Sequence, residues 1–406
     1  MFKKLTHCFL YLILILILIL IIVLSSCTSI SRKDGFDKWL NKQGLNVYII
    51  SLWVNDLNPK PTKVKDFVFP REFASGVLTQ DFIIVGASNG TLSAFERNNG
   101  KSAWSFNTFA PIDMKPLIYD DKIFIANIDG RIVCLNLFSG KLIWEKEVGS
   151  SIFSKGAIGA HGKIVLFHLA NNYLLALNAE DGNWLWSVKK DINIDKTIKG
   201  NCIPVVKDSK VYVGFADGNI EAFNIADGAS LWSKKLSIAN KFLDIDTEIV
   251  FYKDNLIVST YSGELFSVNE ESQFINWKFK SDDQVIVAVS LFEDFIFVST
   301  LNGNIYCINA STGEQKWLFT SADNFRFNQG SPGKVSLIND MLIVAYSKGG
   351  ILLIEKETGK VIENYKVGSG ISSDIVVDED SEINEFYFLS NFSRLYALKL
   401  RNTQIR

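Results

Sequence analysis

"FADGNIEAFNIADGASLW", Phe215–Trp232, decides the fold, because the chain spells the same arrangement again and again. With Gly218 as marker, a small residue (Ala222) follows at +4, a second glycine (Gly228) at +10 and Trp232 at +14. The spacing is kept in full by Gly90 with Ala94, Gly100 and Trp104, by Gly130 with Cys134, Gly140 and Trp144, and by Gly303 with Cys307, Gly313 and Trp317. Other copies vary one or two positions. Asn172 stands for the first glycine ahead of Ala176, Gly182 and Trp186, and Gly263 is followed by Ser267, Gln273 and Trp277. Gly349 has Leu353 and Gly359 but Glu363 in place of tryptophan, and Ser393 opens an eroded last copy with Ala397.

The eight markers lie 40, 42, 46, 45, 40, 46 and 44 residues apart. A period in that range is a propeller or solenoid signature and overrides a domain count made from length. Each copy alternates apolar and polar residues at strand spacing, as in "KVYVGFADGNIEAFNIADG" from Lys210, and helical periodicity is absent. The Asp-Gly and Asn-Gly pairs between apolar runs predict type I′ hairpins, which need positive φ at both central residues. The predicted fold is all-β: an eight-bladed β-propeller of four-stranded antiparallel blades.

The eighth copy runs out before its outer strand. The missing strand is sought at the other end of the chain, where "NVYIISLW", Asn46–Trp53, closes on Ser51-Leu52-Trp53 as copy four closes on Ser230-Leu231-Trp232. This predicts a ring closed by the N-terminal strand, which removes the edges an open array would expose. The tryptophans of the repeat are then Trp53, Trp104, Trp144, Trp186, Trp232, Trp277 and Trp317. Glycines are read as turn formers, the small +4 residue as allowing blades to approach, and tryptophan as surface buried between blades.

Ahead of the repeats stands "MFKKLTHCFLYLILILILILIIVLSSC". Lys3 and Lys4 precede an unbroken apolar run, Phe9–Leu24, and Leu24-Ser25-Ser26-Cys27 has the pattern of a bacterial lipobox. A retained membrane anchor is the rival, but sixteen apolar residues fall short of the roughly 20 a span needs. Residues 1–26 are expected to be a lipoprotein signal peptide, Cys27 the acylated first residue of the mature chain, 27–45 a tether and 46–406 the propeller. Loss of Lys3 and Lys4 takes the net charge from −2 to −4. Thr28, rather than an aspartate that would resemble an inner-membrane retention signal, points to the periplasmic face of the outer membrane.

Hydrophobic residues make up 48% of the chain, enough for a large core, and the near-neutral charge implies no nucleic-acid surface. Cys134 and Cys307 fill small-residue slots, so with Cys202 they read as buried thiols rather than a disulfide framework. His161 reads as a turn residue and His168 as a strand residue, with no second ligand at metal spacing. The acidic run Asp378–Glu382 lacks EF-hand spacing and reads as a solvated loop. Signatures of common hydrolases and nucleotide-binding proteins are missing. Neither a cofactor nor a metal is expected.

The repeated G-x-x-x-[AC]-x-N-x-x-x-G-x-x-x-W resembles the tryptophan-docking repeat of the quinoprotein-like (PQQ-type) β-propellers over roughly residues 46–400. Within that superfamily, quinoprotein dehydrogenases bind pyrroloquinoline quinone and calcium, commonly beneath an adjacent-cysteine disulfide that this chain lacks. The lipobox and the eight copies are closer to the BamB-type lipoproteins of the outer-membrane β-barrel assembly machinery. That resemblance implies a non-enzymatic scaffold that binds POTRA domains of the barrel-forming subunit. It leaves open whether unfolded outer-membrane proteins are also held.

In that family two inter-blade connections carry the contact with the barrel subunit, and they match "DKTIKGNCIP", 195–204, and "KFLDIDTE", 241–248. The resemblance makes Ile198, Lys199, Lys241, Asp244 and Asp246 the partner-binding residues. Lysine at 199 and 241 stands where the family has arginine, which keeps charge but not bidentate hydrogen bonding. The plain alternative is that Asp244 and Asp246 only cap turns. The competing functions are a quinone-dependent dehydrogenase and an unrelated lipid-anchored binding propeller.

Overall fold

A computed structural model of the chain describes residues 45–58, 72–191, 202–236, 243–325, 329–378 and 384–404. It divides into two compact units. Val47–Arg401 is the propeller; the other is Met1–Asn46 with Asn402–Arg406, of which only strand ends are described. Eight four-stranded antiparallel sheets are present, seven built in chain order. These seven blades span 77–107, 117–147, 157–189, 205–235, 250–280, 286–319 and 336–365. In the eighth, the strands Val376–Val377, Glu385–Leu389 and Arg394–Gln404 are completed on the outside by Leu45–Asp56. The N-terminal strand therefore closes the ring.

Burial peaks in the two middle strands of each blade: in blade 4 the inner strand Val205–Lys207 is half-buried and the outer strand Ser230–Lys235 is largely exposed. The second strand of blade 4, Lys210–Gly214, and the third, Asn219–Asn224, are apolar-rich and buried on both faces, because a neighbouring blade covers each side. The outer strands, such as Leu142–Glu147, bury little besides the tryptophan. The alternation read from sequence thus holds for the outer strands, while the middle strands are covered twice.

Register explains the motif more closely than the sequence does. The +4 residue lies directly opposite the tryptophan of its own blade: Ala94 with Trp104, Cys134 with Trp144, Ala176 with Trp186, Ala222 with Trp232, Ser267 with Trp277 and Cys307 with Trp317. A small side chain there leaves room for the indole. Where Glu363 replaces tryptophan, its partner is the larger Leu353. The expectation that the small residue serves mainly blade approach is corrected accordingly.

The second glycine turns the chain as expected, at φ +70° for Gly100 and +64° for Gly140, and has a further reason to be glycine. A Cβ on Gly140 would lie 2.5 Å from the ring of Trp104, one blade back, and a Cβ on Gly100 would lie 2.6 Å from Trp53. Six of the seven repeat tryptophans then donate the indole N–H to a carbonyl of the next blade, among them Trp53 to Arg97 at 2.8 Å, Trp104 to Leu137 at 3.0 Å and Trp186 to Ile225 at 2.9 Å. For Trp232 the next blade has Gln273 at the position of the second glycine, and among the described residues its indole makes no such bond. The first glycine does turn the chain, at φ near +80° for Gly90 and Gly218. Its predecessors are not at positive φ, so these hairpins are not type I′. Both central residues are positive instead at Asn339 and Asp340, between the strands Ser336–Ile338 and Met341–Ala345.

Candidate functional site

Of the residues expected to meet a partner, Ile198, Lys199 and Lys241 lie outside the described residues, as does Cys27. The described ends of the two connections are brought together. Cys202 Sγ donates to the Thr247 carbonyl at 3.1 Å, and the His168 ring meets the Cys202 carbonyl at 3.0 Å. A carbonyl only accepts, so Nδ1 of His168 carries the proton. Burial, only partly opposed by that hydrogen bond, lowers the His168 pKa to about 4. This histidine is a core residue that ties the blade 3 strand Ile164–His168 to the connection at Cys202. Burial likewise pushes the thiols of Cys134, Cys202 and Cys307 up to about 12, so none is poised for chemistry.

The segment holding Asp244 and Asp246, which the resemblance makes a partner-binding connection, is largely buried. Asp244 is fully buried, and its carbonyl accepts from the Tyr261 N–H at 2.8 Å. Ile245 packs over Gly214, where a Cβ would strike it. Asp246 is half-buried; burial first and the Asp244 carboxylate second raise its pKa to about 7. The physical reason is packing: the segment descends into the molecule before the inner strand Val250–Tyr252, and Thr247 bonds Ser259 at 2.6 Å. The reading of the loop at Asp378 is corrected. Asp378 forms an ion pair with Arg97 that ties blade 8 to blade 1, so it is no free solvated acid. His161 lies in a turn, as expected.

Asp246 and Glu248 line a cavity of about 520 Å³ to which all eight blades contribute, placing it on the propeller axis. Its wall includes a ring of equivalent positions, two residues before the paired part of each inner strand. Charged members are Lys115 in blade 2, Lys155 in blade 3, Glu248 in blade 5, Lys334 in blade 7 and Asp374 in blade 8. Blades 1 and 4 supply Ser75 and Ile203. Glu248 reaches across the axis to both Lys155, at 3.8 Å, and Lys334, and these lysines hold its pKa down against the burial that would raise it. No marker in the sequence singles out this ring, because its members stand some 40 residues apart in an otherwise plain stretch. Among the described residues, no group of three or more His, Cys, Asp or Glu is arranged to hold a metal.

A family model described as outer membrane protein assembly factor BamB matches residues 88–319 and 244–405, most of the propeller. The chain belongs to the BamB family. The BamB of Moranella endobia is 26% identical over 196 residues, 46% of this chain and 47% of that protein. The crystal structure of BamB from Moraxella catarrhalis superposes with a TM-score of 0.73 at 18% identity, covering 87% of this chain and all of that one. A quinoprotein ethanol dehydrogenase of Pseudomonas aeruginosa is 28% identical over 137 residues, 28% of this chain and 22% of that enzyme.

The matched stretch spans about half the length of the first BamB relatives. What the BamB match adds is the placement of the repeat within the PQQ-type propellers, which spacing alone left shared between scaffolds and dehydrogenases. Within this BamB-family propeller the two candidate connections converge at Cys202 and Thr247.

Proposed function

We propose that this chain is a non-enzymatic scaffold of the machinery that assembles β-barrels in the outer membrane. Residues 1–26 direct export, Cys27 carries the lipid, 27–45 form the tether, and the propeller stands in the periplasm. Its partner is the set of POTRA domains of the barrel-forming subunit, met by Ile198, Lys199, Lys241, Asp244 and Asp246 on the connections into blades 4 and 5. The observation that carries this reading is the match to the BamB family over both halves of the propeller, supported by the contact between the two connections. In this reading Asp244 acts through the shape of its segment, since its side chain is buried.

The experiment is capture of purified barrel subunit, or its isolated POTRA domains, by the full-length chain. Retention of the POTRA domains supports the scaffold; failure to retain them, with the propeller folded, sinks it. The dehydrogenase relative motivates one further arm. Pyrroloquinoline quinone and calcium are added to the same preparation, and no bound chromophore and no dye reduction are expected.

A further inference from the structure

Phe109, in the connection from blade 1 to blade 2, is placed in a way that core packing does not explain. It is 82% exposed, the most exposed large apolar side chain among the described residues. Its backbone is left-handed, at φ 65°, where a bulky side chain is strained. The equivalent residue of the next connection is Gly149, at φ 68°, which takes this conformation without a steric penalty. Hydrogen bonds fix the equivalence: the preceding residue, Thr108 or Val148, donates its N–H to the carbonyl of the marker glycine, Gly90 or Gly130.

The surroundings hold the strained residue in place. The Phe109 N–H donates to Asn107 Oδ1 at 2.6 Å, and the Thr108 hydroxyl is shared between the carbonyls of Gly90 and Ala110, at 3.0 and 2.8 Å. The Arg131 guanidinium, itself paired with Glu145, lies over the Phe109 ring at 5.9 Å from its centroid. A strained conformation that its neighbours over-determine is a sign of function, and the function here belongs to a ring held out in water.

The position of the ring says what it meets. Every blade ends its outer strand on the same face, so the blade-to-blade connections all emerge there. After Phe109 comes Phe153, 45% exposed on the connection into blade 3, and then the connections into blades 4 and 5 with the proposed partner residues. Those five residues include one apolar side chain, Ile198. A stable protein interface takes about 20–30 residues a side and is anchored mainly by aromatic and arginine side chains. Phe109 and Arg131 supply that chemistry on the same face.

We propose that Phe109, backed by Arg131, is an aromatic anchor that enters an apolar pocket of a POTRA domain. The partner surface then runs over four successive connections, from that between blades 1 and 2 to that between blades 4 and 5. This rests on the scaffold function proposed above.

Phe109→Gly is the test, because it moves stability and binding in opposite directions. Glycine relieves the left-handed strain, so the full-length variant should melt at or above the parent temperature. Isolated POTRA domains should bind it about tenfold more weakly than the parent. Phe138→Ser removes a 61% exposed phenylalanine from the outer hairpin of blade 2, on the opposite face, and should bind as the parent does. Parent-strength binding by Phe109→Gly, or equal weakening by Phe138→Ser, overturns the anchor and leaves the scaffold standing. Weak binding with a lowered melting temperature would make the ring structural and overturns it too. If the parent itself binds no POTRA domain, the scaffold function falls and the anchor falls with it.

Discussion

Asp246 shows how a single side chain changes meaning with its surroundings. In the sequence it is an acid two residues from another acid; in the fold, burial and Asp244 lift it from its ordinary 3.8 to about 7. Between those values the folded state keeps a proton that the unfolded chain releases. Stability therefore falls as pH rises from about 4 through about 7 and is level beyond. Asp246→Asn should remove that slope, raising stability on the order of 1–3 kcal/mol at pH 8 and little near pH 4, as read by denaturant titration at the two pH values. An equal effect at both would show that the charge of Asp246 is not the cause. Cys27 is the other decisive single residue. Cys27→Ala should abolish labelling by radioactive palmitate and leave the leader uncleaved; a labelled mutant would end the anchoring proposal.

At the scale of the element, the recurring unit is a contact as well as a turn: a tryptophan, the small residue opposite it, and a glycine in the next blade. Gly140→Ala places a methyl against Trp104 at a position with φ of +64°, so it suffers both overpacking and left-handed strain. A loss of about 2 kcal/mol or more is expected by thermal melt. Gln273 is the mirror case, a non-glycine residue at φ 54° in the repeat position that other blades fill with glycine. Gln273→Gly should gain about 0.5–1 kcal/mol, from relief of strain and space for the indole; a destabilised variant would mean that Trp232 is seated in some other way. The closing strand obeys the same logic. Deleting 45–56 removes Trp53, whose loss alone costs about 3–5 kcal/mol, together with the Asn55 bond to the Gly100 carbonyl. It also strips the outer edge of blade 8, and an unchanged melting temperature would refute the closure. The eight-copy spacing made all this legible as architecture. The pairing of Trp104 with Gly140 was not, because it joins residues 36 apart across a blade boundary.

On the scale of the whole molecule, one segment, 241–248, holds three of the proposed partner residues, Lys241, Asp244 and Asp246, and at its described end Asp246 and Glu248 line the axial cavity. Asp244 is buried, so reversing it would damage the fold before it reported on binding. Lys199→Glu and Lys241→Glu are the sharper probes, with Glu314→Lys and Glu357→Lys, exposed acids on blades 6 and 7, as controls. Isolated POTRA domains should bind the first pair at least about tenfold more weakly than the parent and the controls normally, with unchanged circular dichroism melts in all four. Weak binding by the controls alone would overturn the site while leaving family membership intact.

By itself the sequence determined the blade count, the strand content, the closing strand at Asn46–Trp53 and the resemblance to the BamB-type propellers. Each of these rests on local periodicity or on a spacing repeated within the chain, which neighbouring residues express without reference to distant ones. Only the tertiary structure decided that Asp244 is buried, that Asp378 pairs with Arg97, and that Lys115, Lys155 and Lys334 meet around one axis. Burial and charge clustering are properties of the closed ring. They arise when segments from eight blades converge at its centre, and no window of sequence contains more than one of those segments.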